Sequence, residues 1–211
     1  MSENKRTIIL VHGLWVRSPV FFLHQRWLEK KGFAVRRFSY PSVSNGLRQN
    51  AEALKKYVAA TDGDTIHLVG HSLGGLVALA MLARYPEPRL GRMVLMGSPC
   101  IGCHAAVTMR RIPWLGKMVG CSLNDWLAMP RPPLPGNVEI GVLAGDLGIG
   151  LGRLIPGLPK PNDGVISVAE TRLPEAVDSI VLPVSHTGML ISRTCSNQVA
   201  AFLESGKFLH G

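Results

Sequence analysis

The chain has 211 residues, 46% of them hydrophobic and 18% charged, which is enough apolar material for one packed core and excludes a disordered chain. The most apolar span, 66–82, is interrupted by His67, His71 and Ser72, so no run of about 18 apolar residues exists and a membrane-spanning helix is excluded. The net charge of +9 is scattered over Arg17, Arg26, Lys30, Lys31, Arg36 and Arg37 without an arm or recognition motif; it reads as a solvated basic face, and no nucleic-acid partner is expected. Association with a membrane surface through a basic, Trp-bearing insert is a supplementary reading.

The opening Met1–Arg6 leads straight into Thr7–Val11, an apolar run too short for a signal peptide and lacking a small-residue cleavage site, so a cytoplasmic protein is expected. Thr7–Val11, Phe33–Phe38, Thr65–Val69 and Met93–Met96 are short apolar runs of the kind buried on both faces of a parallel sheet. Helical spacing fills the intervals: Val20, Leu23, Trp27 and Leu28, then Leu47, Ala51, Leu54 and Val58. Residues 73–84 are apolar nearly all round and predict a buried helix. Asn137–Ala144 and Ser179–Val184 read as later strands, and Ile191, Cys195, Val199 and Phe202 as the stripe of a last helix. Alternating strands and helices predict a single α/β domain over 1–211, with a mostly parallel sheet of about six strands covered on both faces.

One segment breaks the alternation. Residues 101–136 are too long for a crossover and too apolar to lie free in water, and they leave the Met93–Met96 strand at its carboxyl end. They are expected to form a short cap, with Ile112, Leu115 and Val119 on one helical stripe and Trp114 reaching substrate. The alternative is ordinary packing against the outer helices. Within this region Cys100-Ile101-Gly102-Cys103-His104 spells a haem-attachment pattern, but that chemistry normally follows export, and four cysteines make no disulfide framework. The glycines of 148–152 lack the helix opening and the acidic ribose ligand of a nucleotide loop. No metal and no cofactor are expected.

The strongest chemical signal is Gly70-His71-Ser72-Leu73-Gly74 between a strand and a helix. A serine on so sharp a turn has its hydroxyl lifted clear of the sheet, and glycines on either side allow neighbouring elements to approach. The helix behind it aims N–H groups and a positive dipole end at the reacting centre. Ser72 is therefore the candidate nucleophile. His12-Gly13-Leu14 ends the first strand, and ligands of open parallel sheets bind beyond the carboxyl ends of strands. A tetrahedral intermediate needs two preorganised donors, and the backbone N–H groups of Leu14 and Leu73 are the candidates.

The opening IILVHG, the elbow GHSLGG and the ending NDGVISV…VSHTGML resemble the α/β-hydrolase superfamily, above all small bacterial lipases and esterases with a reduced sheet. The resemblance covers most of the chain and is weakest over 101–136. It implies an α/β-hydrolase fold, a metal-independent acyl-enzyme mechanism, and the chain order serine, acid, histidine. His186, in Ser185-His186-Thr187-Gly188, matches the position of the base. Two residues compete for the acid: Asp146 closes the strand ending at Ala144, whereas Asp163, 23 residues before His186, matches the interval seen in short bacterial lipases and is preferred. The expected function is a serine carboxylic-ester hydrolase acting on a small-molecule ester, with Trp15, Met189 and Trp114 on the substrate. An amidase, thioesterase or acyltransferase would use the same residues, and a non-catalytic binding module would be expected to have lost one of them.

Overall fold

The computed structural model describes residues 5–112, 116–150 and 155–210. Six strands, β1 (Arg6–Val11), β2 (Ala34–Phe38), β3 (Thr65–His71), β4 (Leu90–Met96), β5 (Ile140–Gly145) and β6 (Asp178–Leu182), form one sheet in the order β2-β1-β3-β4-β5-β6. Every pairing is parallel, with Val11 opposite Phe38 and Gly70, and Met96 opposite His71 and Leu143. The sequence-level reading of about six strands in a mostly parallel sheet holds.

The strand residues divide by parity. Ile9, Val11, Ile66, Leu68, Met93, Leu95, Ile140 and Val142 face one core, against α2 (Leu47–Ala59) and α3 (Leu73–Arg84). Ile8, Leu10, Val69, Val94, Met96 and Leu143 face the other, against α1 (Phe22–Glu29) and the last helix, Arg193–Ser205. Alternate residues point to opposite faces of a sheet, so runs apolar at every position are what two covered faces require. On the edge strand β2, Arg36 is exposed, and a charged edge discourages pairing with another chain.

Two stripes differ from expectation. The buried face of α1 and the turn before it is Phe21, His24 and Leu28; Leu23 is exposed, and Val20 and Trp27 are only partly buried. The helix is rolled because the His24 ring packs edge-on against Phe21 and its Nε2 donates to the Met189 carbonyl at 2.8 Å, an internal partner that hydropathy does not weigh. In the last helix Cys195, Val199 and Phe202 are buried as expected, but Ile191 belongs to the preceding 3₁₀ turn and is exposed.

Between β4 and β5 the chain forms α4 (His104–Arg110), a 3₁₀ turn (Lys117–Val119) and α5 (Cys121–Ala128); the last helix is hereafter α6. The single stripe expected over 112–119 is not one helix. Arg110 ends α4, Ile112 lies beyond it and is exposed, and Val119 is buried in the separate turn. Pro113 cannot continue a helix ladder without losing a hydrogen bond. Leu115 and Trp114 lie outside the described residues.

Candidate active site

Sheet order reverses at the β1/β3 boundary, where the crossovers leave in opposite directions and open a crevice at the carboxyl ends. Ser72 stands there with φ 54° and ψ −123°, a conformation that a side-chain-bearing residue rarely adopts. Its N–H donates to the Met96 carbonyl at 2.9 Å, fixing the turn to β4. The glycines around it are dictated by contact. A Cβ on Gly74 would lie 2.1 Å from the Val11 oxygen, and one on Gly70 would lie 2.4 Å from the Gly75 Cα. Helix α3 meets the sheet backbone to backbone, with no flexible atom able to give way.

His186 lies in the loop after β6, and Asp163 in the long connection between β5 and β6. His186 Nδ1–H donates to Asp163 Oδ2 at 2.7 Å, and the His186 N–H donates to the Asp163 carbonyl at 2.8 Å. The other carboxylate oxygen of Asp163 accepts the N–H groups of Val165 at 2.9 Å and Ile166 at 2.7 Å. A buried carboxylate so supplied with donors is held in one orientation. It also fixes the histidine tautomer: the proton is on Nδ1, and Nε2 is left as a base. Asp146, the competing acid, is exposed at the end of β5. Asp163 and His186 are therefore brought together, and Ser72 and His186 line the same cavity of about 210 Å³.

Gly13 and Leu14 form part of the same wall. His12 shapes them. Its Nδ1–H donates to the Gly13 carbonyl at 2.8 Å, its Nε2 accepts the Tyr40 N–H at 3.3 Å, and its ring stacks on Tyr40 at 4.4 Å. Carbonyl and N–H point in opposite directions across a trans peptide, so holding the Gly13 oxygen aims the Leu14 N–H the other way. The Leu73 N–H opens α3, where helix geometry leaves it without an intrahelical partner.

Trp15 combines a positive φ of 62° with two tethers: its N–H donates to Ser42 Oγ at 3.2 Å and its indole Nε1–H donates to the Met118 carbonyl at 2.8 Å. Its ring contributes to the cavity wall while half of its surface stays exposed. Met189, expected to contact substrate, is fully buried and is not among the residues lining the cavity. The 3₁₀ turn sends its side chain inward behind the Asp163–His186 pair, where its sulfur lies 3.2 Å from where a Gly97 Cβ would be; Leu190 lines the cavity instead. Trp114 lies outside the described residues.

The remaining wall is apolar and comes largely from the β4–β5 segment, with Ala105, Ala106, Met109, Val119 and Leu123. Cys103 belongs to it too, and burial pushes the thiols of both Cys100 and Cys103 up to about 12. The His104 ring donates through Nε2 to the Pro156 carbonyl at 2.9 Å. Among the described residues no three His, Cys, Asp or Glu side chains are grouped so as to hold a metal ion.

Two contributions were not read from sequence. Gly97 ends β4 at φ 57°, and a Cβ there would lie 3.1 Å from Asp163 Oδ2 and 3.2 Å from His186 Nδ1. Its signal was available: a glycine directly after an apolar strand. Glu170 accepts the Ser167 N–H at 2.8 Å and also the backbone N–H of His104, joining the start of α4 to the loop that carries Asp163. Nothing local in the sequence announces that link.

Residues 8–197 match the alpha/beta hydrolase family, and the chain belongs to it. A 2-hydroxy-6-oxononadienedioate/2-hydroxy-6-oxononatrienedioate hydrolase of Pseudomonas putida is 34% identical over 120 residues, covering 51% of this chain and 42% of that protein. A 2-hydroxy-6-oxo-6-phenylhexa-2,4-dienoate hydrolase of Comamonas testosteroni is 42% identical over 71 residues, covering 33% of this chain and 24% of that protein. The chain thus spans less than half the length of these relatives. Among solved structures, the mature form of a Bacillus licheniformis lipase superposes with a TM-score of 0.75 at 17% identity, covering 96% of this chain and 92% of that one. A metagenomic carboxyl esterase gives 0.69 at 20% identity, covering 88% and 65%. At such identities the likeness is one of fold. No helix among the described residues is long and apolar enough to cross a membrane.

Proposed function

We propose that the protein is a serine carboxylic-ester hydrolase in which Ser72, His186 and Asp163 act as one unit. The observation that carries this reading is the 2.7 Å bond from His186 Nδ1–H to Asp163 Oδ2, which leaves Nε2 as a base on the cavity that Ser72 also lines. Nε2 takes the Ser72 proton, the oxygen attacks the ester carbonyl, and the N–H groups of Leu14 and Leu73 hold the oxyanion. Collapse expels the alcohol, which takes its proton from His186. Water then attacks the acyl-enzyme, giving its proton to Nε2, and the acid leaves as Ser72 is reprotonated. Asp163 orients the imidazole and stabilises its cation without itself being protonated.

The cavity wall supports a substrate that is apolar on its acyl side, and we assign the β4–β5 segment the role of a cap over it. A cap lined by Ala106, Met109 and Leu123 buries an acyl chain and keeps bulk water from the acyl-enzyme. The dienoate hydrolases among the relatives suggest a second reading, since their names describe carboxylate substrates. A buried carboxylate needs a charged or donor-rich partner, and the side chains described on this wall include no Lys or Arg; their polar groups are His71, Ser72, His186, Thr187, the Cys103 thiol and the Trp15 indole, which already donates to Met118. The ester of an apolar acid fits better. Labelling with a fluorophosphonate probe tests the reading: wild type labels and Ser72→Ala does not, whereas an unlabelled wild type overturns it.

A further inference from the structure

His71 directly precedes Ser72, yet its side chain is used elsewhere. The ring is buried, and its Nε2 lies 3.0 Å from the carbonyl oxygen of His186. A carbonyl only accepts, so Nε2 carries the proton. Nδ1 faces Gly13: a Cβ on that glycine would lie 3.2 Å away, and Nδ1 itself is buried with no hydrogen-bond partner among the described residues. A second proton on this ring would have no acceptor. The ring centroids of His71 and His186 are 4.7 Å apart.

From this geometry we propose that His71 is a positioning residue, a hydrogen-bond donor that fixes the distance between the nucleophile and the base. The inference rests on the ester-hydrolase reading of Ser72 and His186. The main chain of His186 is held from two sides: its N–H by the Asp163 carbonyl at 2.8 Å, its C=O by His71. The first bond ties the base to its acid. The second ties it to β3 and hence to the turn bearing Ser72, and it links the nucleophile's neighbour directly to the base loop. Ser185 and His186 are only partly buried and Thr187 is exposed, so packing alone does not set the base at a fixed height above the serine.

Neutrality is part of the role. His186 becomes an imidazolium during turnover, and a charged His71 beside it would oppose that step. The titratable groups facing His71 are His186 on the loop after β6, His12 after β1 and His24 on α1; burial first, then the nearness of His186, holds His71 well below the ordinary histidine range.

Two amide variants of nearly the same polarity separate positioning from mere burial. In His71→Gln the side-chain NH₂ reaches as far as Nε2 did; in His71→Asn it falls short. Fluorophosphonate labelling rates and ester kcat and KM are measured for wild type and both variants, with thermal melts as a check on folding. We expect Gln to stay within about threefold of wild type, and Asn to lose about tenfold or more in kcat and labelling rate while KM changes by less than about twofold. Equal rates for folded Gln and Asn variants overturn the proposal, and so does loss confined to KM. Should Asn fail to fold, a Gln variant that folds but is slowed as much as about tenfold overturns it as well. The acid limb of kcat/KM supplies a further check: one proton is expected to inactivate the free enzyme, and a slope of two would mean that His71 also titrates. An unlabelled wild type would instead overturn the reading of Ser72 itself.

Discussion

The turn bearing Ser72 and the segment between β4 and β5 border one cavity but are held by different forces. At the turn, backbone rests on backbone: Gly70 on Gly75, Gly74 on the Val11 carbonyl, and the Ser72 N–H on Met96. The β4–β5 segment is held by apolar side chains and by a few polar contacts spread along α5. The Asp125 carboxylate accepts the Leu47 N–H at 2.8 Å, standing in at the start of α2 for the capping side chain that Gly46 lacks. The Asn50 side chain donates to Ser122 Oγ at 2.8 Å, and the Cys121 N–H donates to the Val43 carbonyl at 2.9 Å. Contacts between backbones leave no room for substitution; contacts between side chains allow size and shape to change. On the proposed reading, the first region holds the reacting groups and the second shapes substrate preference.

The largest effects should come from breaking the rigid side of that contrast. Ser72→Ala and His186→Ala are each expected to lower ester hydrolysis by several orders of magnitude, with the double variant little worse; additive losses in steady-state rates would count against a shared unit. Asp163→Asn should cost on the order of 10⁴ in kcat, and Asp146→Asn far less. A reversal would move the acid to Asp146 and leave the rest of the scheme standing.

Next in size is a substitution that touches no reacting atom. Gly74→Ala should destabilise the fold by more than about 4 kcal/mol, since neither the helix nor the Val11 carbonyl can yield. Urea unfolding would show it, and a loss below about 1 kcal/mol would mean that the contact relaxes.

Acid should loosen the core before the carboxylates respond. His12, His24, His67 and His71 are buried, and burial is the leading cause that lowers each of them, His67 to about 4. The unfolded chain therefore binds more protons than the native one between the ordinary value near 6.5 and the lowered ones. Their contribution is complete above about pH 6.5 and is lost as pH falls towards about 4; His67 alone would account for about 3 kcal/mol of that loss. Urea midpoints measured from pH 7.5 to 4.5 should fall steadily, and a flat profile would contradict the burial of these rings.

The smallest effects should come from the adaptable side. Met109→Ala combined with Leu123→Ala should shift the preferred acyl length among nitrophenyl esters rather than lower all rates alike. Asp125→Ala should remove about 0.5–1 kcal/mol of stability, the scale of an exposed helix cap. A uniform fall in kcat/KM across chain lengths would refute the assignment of this segment as the specificity wall.

The same contrast explains what was legible in the sequence. The strands were, because burial on both faces makes them apolar at every position, and so was the turn at Ser72, because its glycines are forced by contact. The choice of Asp163 over Asp146 came from likeness to short lipases, and the structure then placed Asp163 against His186. Side-chain direction was not legible where a polar partner decides it. His24 rolls α1 by donating to Met189, and the turn at Gly188–Ile191 sends Met189 inward where apolarity alone suggested contact with substrate. The stripe expected from Ile112 to Val119 is not one helix, since α4 ends at Arg110 and Val119 lies in a separate turn; hydrophobic spacing carries no information about such a break.

Trp15 joins the two regions, and its conformation has a thermodynamic consequence. A left-handed tryptophan stores about 1–3 kcal/mol, close to the roughly 0.5–1.5 kcal/mol that one hydrogen bond contributes. The bond from its indole to the Met118 carbonyl offsets that cost only while the two segments stay together. Separation would remove that bond and leave Trp15 held by its N–H to Ser42 Oγ alone.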